Sequence, residues 1–556
     1  MEVLVHFERS PYPATFIAGL LAHLVFNRLE PRSIPAFGSL LCFIPISLGV
    51  YLRHHFHNTV LGILWIWALY LIALVCSTIA YRLSSFHPLA KYPGPVMCRI
   101  TKLWLARIGW TGKQYLYYQE LHTLYGDIVR TGPNELSFAD ISYISPMMGA
   151  NGMPKSSFWD GGFPDQKQHR SLVGIRNSLD HSRLRKVWSR AFTPDALKYY
   201  HTLVDKRCSQ LIEALGGSAG DEVDLKTWFH WFSHDVMSDV AYGSGPEMLR
   251  NKDIGAIWKL LEEGQPVSIV MLHLPWLGEF FMTIPMFASK LREFKDYCVK
   301  RTERRYYSGS PNKDLFYYLM DEAGLEAEKP AYEQVVNDSN LAIVAGSDTV
   351  ATSLPNVFWL LLQNPSAYIR IQKEVDQLGD KIYDAVELAK APYLNAVINE
   401  TLRLHPPVMS GSSRSPWVHS QGHQLGQHYI PVGTTTSIHF YTVQRDSRYF
   451  SPSPNDFIPE RWLARDVQKE LEPQVFSDEA QIVHETSAFL PFSTGPMDCI
   501  GKRFAVQELR LVVARLIREF DMEFAEGFDP RVSEDQMKDF FVTSLGSLPV
   551  VLQKRL

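Results

Sequence analysis

The segment Phe492-Ser-Thr-Gly-Pro-Met-Asp-Cys499-Ile-Gly501 places one cysteine between two glycines, directly before a run with helical character from Lys502 to Leu511. Glycine lets the backbone approach a flat, bulky group where a Cβ atom would collide. A thiolate at the start of a helix is stabilised by unpaired N–H groups and by the positive end of the helix dipole. The pattern is typical of a thiolate offered to a metal. A buried structural cysteine is the commoner alternative, and on this segment alone both interpretations stay open.

A second motif, Ala345-Gly-Ser-Asp-Thr349, interrupts a long helical pattern that runs from Tyr332 to Leu362. A glycine inside a helix costs roughly 1 kcal/mol relative to alanine, so its presence needs a reason. An acid followed by a hydroxyl, here Asp348 and Thr349, can relay protons from water. The plainer alternative is a surface Asp-Thr pair on an amphipathic helix.

A third motif is Glu400-Thr-Leu-Arg403, in which a carboxylate and a guanidinium lie three residues apart and can pair on one helical face. The following Leu404-His-Pro-Pro407 ends that helix, because proline cannot continue it. Glu-x-x-Arg occurs on many exposed helices, so the motif gains weight only from its surroundings. Those surroundings include the later segment Phe457-Ile-Pro-Glu-Arg-Trp462.

Together and in this order, these motifs resemble those of the cytochromes P450. The first segment is similar to the family's haem-binding loop, Phe-x-x-Gly-x-Arg-x-Cys-x-Gly. Met497 stands where the family usually has arginine. The resemblance covers the chain from about Ala90 onward and implies the P450 fold, which is mostly α with small β-sheets. The residues that match the loop, and so contact the haem in the family, are Phe492, Gly495, Cys499 and Gly501.

The resemblance implies a b-type haem whose iron is bound by the thiolate of Cys499 as axial ligand. It implies that Asp348 and Thr349 deliver protons on the opposite face of the haem. The glycine of their motif would open the central helix locally beside bound oxygen. A structural network that fixes the cysteine loop would use Glu400, Arg403 and Arg461.

The resemblance also implies partners for the two haem propionates. The basic segment Leu179–Thr193 carries His181 and Arg185 four residues apart, hence on one helical face. They fall where the family's Trp-x-x-x-Arg motif places propionate contacts, with histidine in place of tryptophan. A solvated basic face is the ordinary alternative for such a run, and it stays open for His181. Arg414 falls in the strand that passes the haem edge in the family and is a further candidate.

Composition limits the class of protein. The chain has 556 residues, of which 46% are hydrophobic, and this is ample for a large core. The formal net charge of −4 gives no basic excess, so we expect no nucleic-acid partner. The 6 cysteines are widely spaced and form no CxxC pair. This favours a reducing compartment over a disulfide scaffold or a zinc site.

The N-terminal part is unusually apolar. Val60–Tyr81 is an uncharged run long enough to span a bilayer. Ser33–Leu52 is nearly as long, although Pro35 and Pro45 weaken it, and Ala14–Phe26 is apolar but short. A buried core helix or a cleaved signal peptide is the alternative for any one run. A signal peptide is disfavoured because the first run lacks a basic start.

We therefore predict a membrane anchor over residues 1–90, with one to three transmembrane helices, and a haem domain over residues 91–556. The best candidates for the spans are 34–52 and 60–81. Basic residues set the orientation, because they favour the cytosolic side. A three-span arrangement puts Arg28 and Arg32 on that side and leaves mainly Arg53 opposite. The basic residues that follow the last run place the haem domain in the cytosol: Arg82, Lys91, Arg99 and Lys102.

Three further segments have structural signatures. Lys91-Tyr-Pro-Gly-Pro95 predicts a stiff break that stops the membrane helix, and it resembles the hinge of membrane-bound P450s. Gly126–Phe138 reads as a β-hairpin. Val267–Phe287 is apolar and aromatic, and we interpret it both as core and, by the resemblance, as a part near the membrane at the substrate entrance.

The implied activity is that of a haem-thiolate monooxygenase, which inserts one oxygen atom from O2 into a small apolar molecule. Electrons would come from a separate NADPH-cytochrome P450 reductase, because the chain has no flavin or nicotinamide motif. The hinge, the anchor and Pro491–Pro496 look most like P450s of the fungal endoplasmic reticulum, often employed in secondary metabolism. A terpenoid and an aromatic, polyketide-like substrate both remain open. The alternatives are a P450-fold isomerase or dehydratase that needs no reductase, which the intact Asp348-Thr349 pair disfavours, and a non-catalytic haem sensor.

Overall fold

The computed structural model describes residues 10–29, 31, 33–166, 168–310, 312–326, 328–477 and 481–555. Its N-terminal helices are α1 (Pro11–Leu29), α2 (Ile34–Gly38), α3 (Ile44–Tyr51) and α4 (Thr59–Leu83). A π-helical turn, Ser39–Phe43, joins α2 to α3, so that Ile34–Tyr51 is one apolar run. Both predicted spans are therefore present as helices long and apolar enough to cross a membrane, Ile34–Tyr51 and Thr59–Leu83.

The helices that follow are α5 (Val96–Ile100), α6 (Leu103–Thr111), α7 (Gln114–Tyr125), α8 (Ile144–Met148), α9 (Phe158–Gly162), α10 (Ser178–Arg190), α11 (Pro194–Gly217), α12 (Leu225–Tyr242), α13 (Met248–Asn251), α14 (Ile257–His273), α15 (Pro275–Thr283), α16 (Pro285–Ser308), α17 (Leu315–Leu319), α18 (Tyr332–Gln363), α19 (Pro365–Leu378), α20 (Ala385–Lys390), α21 (Pro392–Leu404), α22 (Phe440–Val443), α23 (Arg465–Leu471), α24 (Lys502–Glu519) and α25 (Pro530–Asp535).

The strands are short and form small sheets: β1 (Ile128–Gly132), β2 (Glu135–Phe138), β3 (Glu222–Asp224), β4 (His423–Leu425), β5 (His428–Ile430), β6 (Thr435–Ile438), β7 (Phe450–Ser451), β8 (Val483–His484), β9 (Phe520–Phe524), β10 (Lys538–Phe540), β11 (Val542–Ser544) and β12 (Pro549–Lys554). β1 and β2 are antiparallel, which confirms the predicted hairpin, and β2 continues in parallel to β6. β12 lies between β3 and β9, and β10 pairs with β11. The expected class, mostly α with small sheets, is confirmed.

The long helix α18 is the centre of the domain and packs along α12. It is α-helical from Tyr332 to Gln363. This corrects the expectation that the helix is interrupted and opened at Ala345–Thr349. Gly346 lies against the side chain of Met237 on α12: a Cβ atom there would lie 2.5 Å from the Met237 Sδ atom, so that side chain would have to shift.

Two clusters of buried apolar side chains hold the domain together. The larger one surrounds α18 and includes Phe229, Phe358 and Val512. The smaller one lies under the β1–β2 sheet and includes Phe138 and Phe450. Full burial of one such side chain contributes about 1.5–3 kcal/mol, so these clusters fix the positions of the segments that carry the site.

The connection between α4 and the domain differs from the expectation. α4 ends at Leu83, before the proline-rich segment, and Arg82 near that end donates from Nη1 to the carbonyl oxygen of Ile100 at 2.6 Å. The segment 91–95 is held against β1, because the N–H of Arg130 donates to the carbonyl oxygen of Pro93 at 2.7 Å. A Cβ atom on Gly94 would lie 2.3 Å from the Arg130 carbonyl oxygen. The prolines therefore fasten the chain to the sheet, and the helix ends on its own before them.

The apolar segment 267–287 spans the end of α14 and all of α15. Ile269, Met271 and Leu272 are buried, so the prediction of a core role is confirmed for this part. Trp276 and Phe280 on α15 are 41% and 44% exposed. Contact of this exposed part with a membrane stays a prediction.

Candidate active site

The cysteine loop is shaped by the chain's own backbone before α24 begins. The N–H of Cys499 donates to the carbonyl oxygen of Phe492 at 2.9 Å, which closes the loop. Gly495 has φ +81°, and a Cβ atom there would lie 2.0 Å from the carbonyl oxygen of Met148. The close approach that requires glycine at this position is therefore to Met148 and its neighbours. Gly501 is the N-cap residue of α24.

The thiol of Cys499 is free and accessible to solvent. Enough protein surrounds it that burial raises its pKa, while the N–H groups of Gly501 and Lys502 donate to the sulfur and lower the pKa. These N–H groups lie at the helix start, where they favour a thiolate. The sulfur is therefore placed as the sequence motif predicts for a metal ligand: it is reachable, backed by backbone donors and followed by a helix.

Arg185 on α10 lies beside this cysteine. Its Nη1 donates to the carbonyl oxygen of Asp498 at 2.7 Å, and its Nη2 lies 2.5 Å from the Asp498 Oδ1. The residue before the cysteine is thus held by a bidentate contact to α10. Sequence reasoning did not include Asp498. Because Arg185 is paired with this carboxylate, its predicted role as a propionate partner stays a prediction.

Lys155 and Arg414 form the core of a cluster of buried cations. An antiparallel backbone bridge places the two residues directly opposite each other. Both are almost fully buried, at 4% and 1% exposure. Like charges directly opposite in a sheet are destabilising. Burial lowers the pKa of Arg414 to about 10. Burial, and then Arg414 and Arg185, hold the pKa of Lys155 well below its usual value.

The donors of this cluster are only partly used. Lys155 Nζ donates to the carbonyl oxygens of Val173 at 2.7 Å and Leu172 at 3.3 Å. Arg414 Nη1 donates to Ser412 Oγ and to the Ser413 carbonyl oxygen, while its Nη2 has no hydrogen-bond partner among the described residues. Among the residues that the structure describes, no carboxylate forms an ion pair with Lys155 or Arg414. Buried cations without an anion fit a ligand that brings negative charge.

His181 lies in the same cluster but carries no charge near neutral pH. Burial, and then Lys155, Arg185 and Arg414, lower its pKa to about 3. Its Nδ1 atom has no hydrogen-bond partner among the described residues. The neutral imidazole can therefore offer one hydrogen bond to a ligand, without contributing to charge balance.

Asp348 and Thr349 lie near the middle of α18. Burial raises the pKa of Asp348 to about 7, although the Ser347 hydroxyl, 3.5 Å away, opposes the shift. Thr349 donates from Oγ1 to the carbonyl oxygen of Ala345 at 2.8 Å. Ala345 is exposed although it lies on the central helix of the domain. This face of α18 therefore borders an open space inside the protein.

The Glu400 carboxylate is fully buried and fully bonded. Arg403 donates from Nε and Nη2 to its two oxygens at 2.8 and 2.7 Å, and Arg461 Nε lies 3.4 Å from Oε1. Two donors that sequence reasoning did not include complete the set: the Trp462 indole at 2.9 Å and the Ile458 N–H at 3.1 Å. Burial alone would raise the pKa of Glu400, but the arginines lower it below the usual value. The structure therefore brings the three predicted residues, Glu400, Arg403 and Arg461, together in one buried network.

An aromatic wall lies near α18 and was missed by sequence reasoning. Phe541, at the tip of the β10–β11 hairpin, has φ +89°, which is unusual for a bulky residue. Its N–H donates to Asp539 Oδ1 at 3.1 Å, and its ring lies 5.3 Å from that of Trp159 on α9. The Thr352 hydroxyl of α18 donates to the Thr543 carbonyl oxygen and holds the hairpin on the central helix. No local sequence signal marks this arrangement.

These residues fit the haem that the sequence implies. The thiol at the start of α24 is a soft ligand of the kind that haem iron accepts, and the cation cluster supplies charge for two propionates. Lys155 is a buried cation that sequence reasoning did not include. It escaped the sequence-based search because it is a single lysine outside any motif.

Comparison with known proteins gives one family. The sequence profile described as "Cytochrome P450" matches residues 91–549. Cytochrome P450 monooxygenase FCK2 of Fusarium pseudograminearum (strain CS3096) is 30% identical over 566 residues, which cover 99% of this chain and 98% of the relative. Cytochrome P450 monooxygenase notG' of Aspergillus versicolor is 32% identical over 499 residues, covering 88% and 87%. Tryprostatin B 6-hydroxylase of Aspergillus fumigatus is 31% identical over 497 residues, covering 88% and 84%.

Proposed function

We propose a specific function for this chain from the premise that it belongs to the cytochrome P450 family, which the match over residues 91–549 shows. As a cytochrome P450 monooxygenase, it inserts one oxygen atom from O2 into a small apolar molecule, terpenoid or aromatic and polyketide-like, in fungal secondary metabolism. The observation that carries the proposal is the thiol of Cys499 at the start of α24, reachable by a ligand and backed by two N–H donors.

Residues of four segments would hold the haem. Cys499 would bind the iron, and Lys155 and Arg414 would receive the propionates, with His181 as a neutral hydrogen-bond partner. Arg185 keeps the cysteine loop in place through Asp498. A bound haem would supply the activation of O2, from which one oxygen atom is inserted into the substrate.

The proton supply rests on two residues of α18. Because its pKa is about 7, Asp348 holds a proton in a large part of the population at neutral pH and can release it there. Thr349 now donates its hydroxyl hydrogen to the Ala345 carbonyl oxygen, so the Thr349 oxygen is free to accept a hydrogen bond from the interior space.

The relatives and the apolar N-terminal helices support the finer parts of the proposal. The relatives compared are fungal cytochrome P450 monooxygenases and a fungal enzyme named tryprostatin B 6-hydroxylase. The two apolar N-terminal helices suit an anchor in the endoplasmic reticulum membrane, with the haem domain in the cytosol. There NADPH-cytochrome P450 reductase would supply the electrons.

The test uses the full chain in microsomes, supplied with purified reductase and NADPH. Comparing the metabolites of a deletion strain with those of its parent identifies the compound that accumulates, and this compound is the substrate to add. We expect substrate-dependent NADPH consumption and one atom of labelled O2 in the product. Conversion without NADPH would instead establish an isomerase or dehydratase. Binding without any conversion would establish a sensor and overturn the proposal.

A further inference from the structure

The N-terminal helices are joined by hydrogen bonds that are rare between helices in water. Pro45 has no N–H, so the carbonyl oxygen of Leu41 lacks its donor four residues on. In the π-helical turn the N–H of Ile44 donates to Ser39, and the Leu40 carbonyl oxygen also loses its usual donor. Both carbonyl oxygens are satisfied by α4 instead: the Trp67 indole donates to Leu41 at 2.7 Å and the Tyr70 hydroxyl to Leu40 at 2.8 Å.

Side-chain donors from a neighbouring helix are what a proline-containing helix needs inside a lipid bilayer. In lipid no water can complete an unpaired carbonyl group, so a proline-disturbed helix needs donors from its neighbours. The two helices approach closely at Gly49, where a Cβ atom would lie 3.0 Å from the Cα atom of Ile63. Small residues at such contacts are typical of transmembrane helix pairs.

α1 also packs on α4 through a small residue. A Cβ atom on Gly19 would lie 2.8 Å from the Cβ of Ala73 and 2.9 Å from the Tyr70 carbonyl oxygen. α1 has 19 residues, and at about 1.5 Å per residue this length comes close to the thickness of the hydrocarbon core. It is less apolar than the other two helices, but its only Lys, Arg, Asp or Glu residue is Arg28, near its end.

Contacts along the helices define their directions. Gly19 lies beside Ala73, and the ring of His23, one turn later, lies 5.6 Å from that of Tyr81, so α1 and α4 run in the same direction. Leu40 lies beside Tyr70 whereas Gly49 lies beside Ile63, so the Ile34–Tyr51 run is antiparallel to α4. The three helices form an up-down-up bundle.

The outward faces of this bundle are apolar. Phe16, Ile17 and Leu21 on α1 are half exposed, as are Leu64 and Ile72 on α4. A helix that is apolar on its outer as well as its inner face is typical of a membrane span. The occupant of these faces is therefore the hydrocarbon of a lipid bilayer.

The catalytic domain marks one end of the bundle. The ring of Phe37, just after α1, lies 5.5 Å from that of Trp276 on α15. Arg82, at the end of α4, donates to the Ile100 carbonyl oxygen. The connection after α1 and the end of α4 are therefore on the side of the domain, and the connection around Phe56 is on the other side.

We propose that α1, the run Ile34–Tyr51 and α4 are three transmembrane helices. Pro11 and Phe56 then lie across the membrane from the haem domain, whereas Pro31 lies on its side. This goes beyond the two helices that length and composition alone identify. The contact of Phe37 with α15 gives the domain a second attachment at the membrane surface, beside that of Arg82.

The test inserts one glycosylation acceptor, carried in a long flexible Gly/Ser loop, at one of three places in the full chain. The places are ahead of the first residue, after Pro31 and after Phe56. Each protein is made in sealed microsomes, and glycosylation is read from a mass shift removed by endoglycosidase. The same loop is also probed with protease added outside the microsomes. A thiolate-haem spectrum of each protein confirms that the domain is folded, independently of the anchor.

The three possible anchors give different results. Three spans predict glycosylation at the first and third places, and at Pro31 no glycan but cleavage by external protease. A single span by α4 predicts glycosylation at all three places. Two spans predict glycosylation after Phe56 alone. Either of the last two patterns, or no glycosylation after Phe56, would overturn the proposal.

Discussion

Two groups of buried charges in this protein are treated in opposite ways. Glu400 receives donors from Arg403, Arg461 and Trp462, so that its charge is balanced inside the protein. Lys155 and Arg414 face each other across a backbone bridge, and no carboxylate among the described residues pairs with them. The difference indicates different roles. A balanced network maintains a structure, whereas an unbalanced cluster prepares a place for a ligand of opposite charge.

The physical reason is the cost of burying an unpaired ion, which is several kcal/mol after relaxation. A protein retains such a cost where binding of a ligand offsets it. The propionates of haem carry the required charge, and the cluster can receive it: burial and Arg414 hold the pKa of Lys155 low, and Arg414 Nη2 has no hydrogen-bond partner among the described residues. The comparison can be tested by removing charges from each group in turn.

The largest effect is expected in the balanced network. Glu400→Ala leaves Arg403 buried without its partner, and breaking a buried pair in this way destabilises a protein by about 3–5 kcal/mol. We expect a lower denaturant midpoint of the apoprotein, measured by circular dichroism. Glu387→Ala is the matched control, since Glu387 forms a pair with Lys390 on the surface, and its midpoint should stay unchanged. Equal midpoints for the two variants would contradict the structural role of the network.

The cation cluster should respond in the opposite sense. Lys155→Met and Arg414→Met remove an unbalanced buried cation, so each apoprotein should melt at the same or a higher temperature. Each variant also loses a charged hydrogen bond to a propionate, worth about 1.5–3 kcal/mol, or roughly 10- to 100-fold in haem affinity. The measurement is haem titration of the apoprotein beside thermal melting. Lys373→Met, at an exposed lysine on α19, is the control.

A less stable apoprotein with unchanged haem affinity would reverse this interpretation. It would place Lys155 and Arg414 with Glu400, as residues that maintain the fold.

Met497→Arg should change the haem content by a smaller amount than the variants above. It restores the arginine of the family pattern beside Asp498, and it should recover part of the haem content lost in Lys155→Met or Arg414→Met. The wild-type background should gain little, since Lys155 already supplies the charge. Haem per polypeptide in the single and double variants is the measurement. Strictly additive losses would mean that the three positions do not share the propionate role.

Asp348 represents a third way to bury an acid, which is to keep its proton. With a folded pKa of about 7 against 3.8 for the free side chain, it binds a proton in the folded protein that the unfolded chain has lost. Between these pH values, rising pH therefore reduces the stability contributed by this group. Product formed per NADPH should fall as pH rises through about 7. In Asp348→Asn it should be low and independent of pH, and a wild-type profile in that variant would exclude Asp348 as donor.

Sequence predicted the parts of the site that depend on local spacing. Glu400 and Arg403 lie three apart on one helix, and Cys499 lies directly before a helix, so their geometry follows from the chain itself. Lys155 could not be found in this way, because its partner Arg414 comes from a distant segment through a backbone bridge. The glycine at 346 was noticed, but the side chain that packs against it, Met237, lies on another helix. The end of α4 was predicted at Tyr81 and lies at Leu83, but the part played by the prolines could not be predicted, because Pro93 accepts its hydrogen bond from Arg130 on a distant strand.

The most direct test of the account concerns Cys499. We expect the reduced wild-type protein with carbon monoxide to show the red-shifted Soret band of a thiolate-bound haem. Cys499→Ala and Cys499→His should lose this band, whereas Cys208→Ala, which changes a buried free cysteine, should keep it. A Cys499 variant that retains the red-shifted band would show that another group binds the iron and would contradict the assignment of the site.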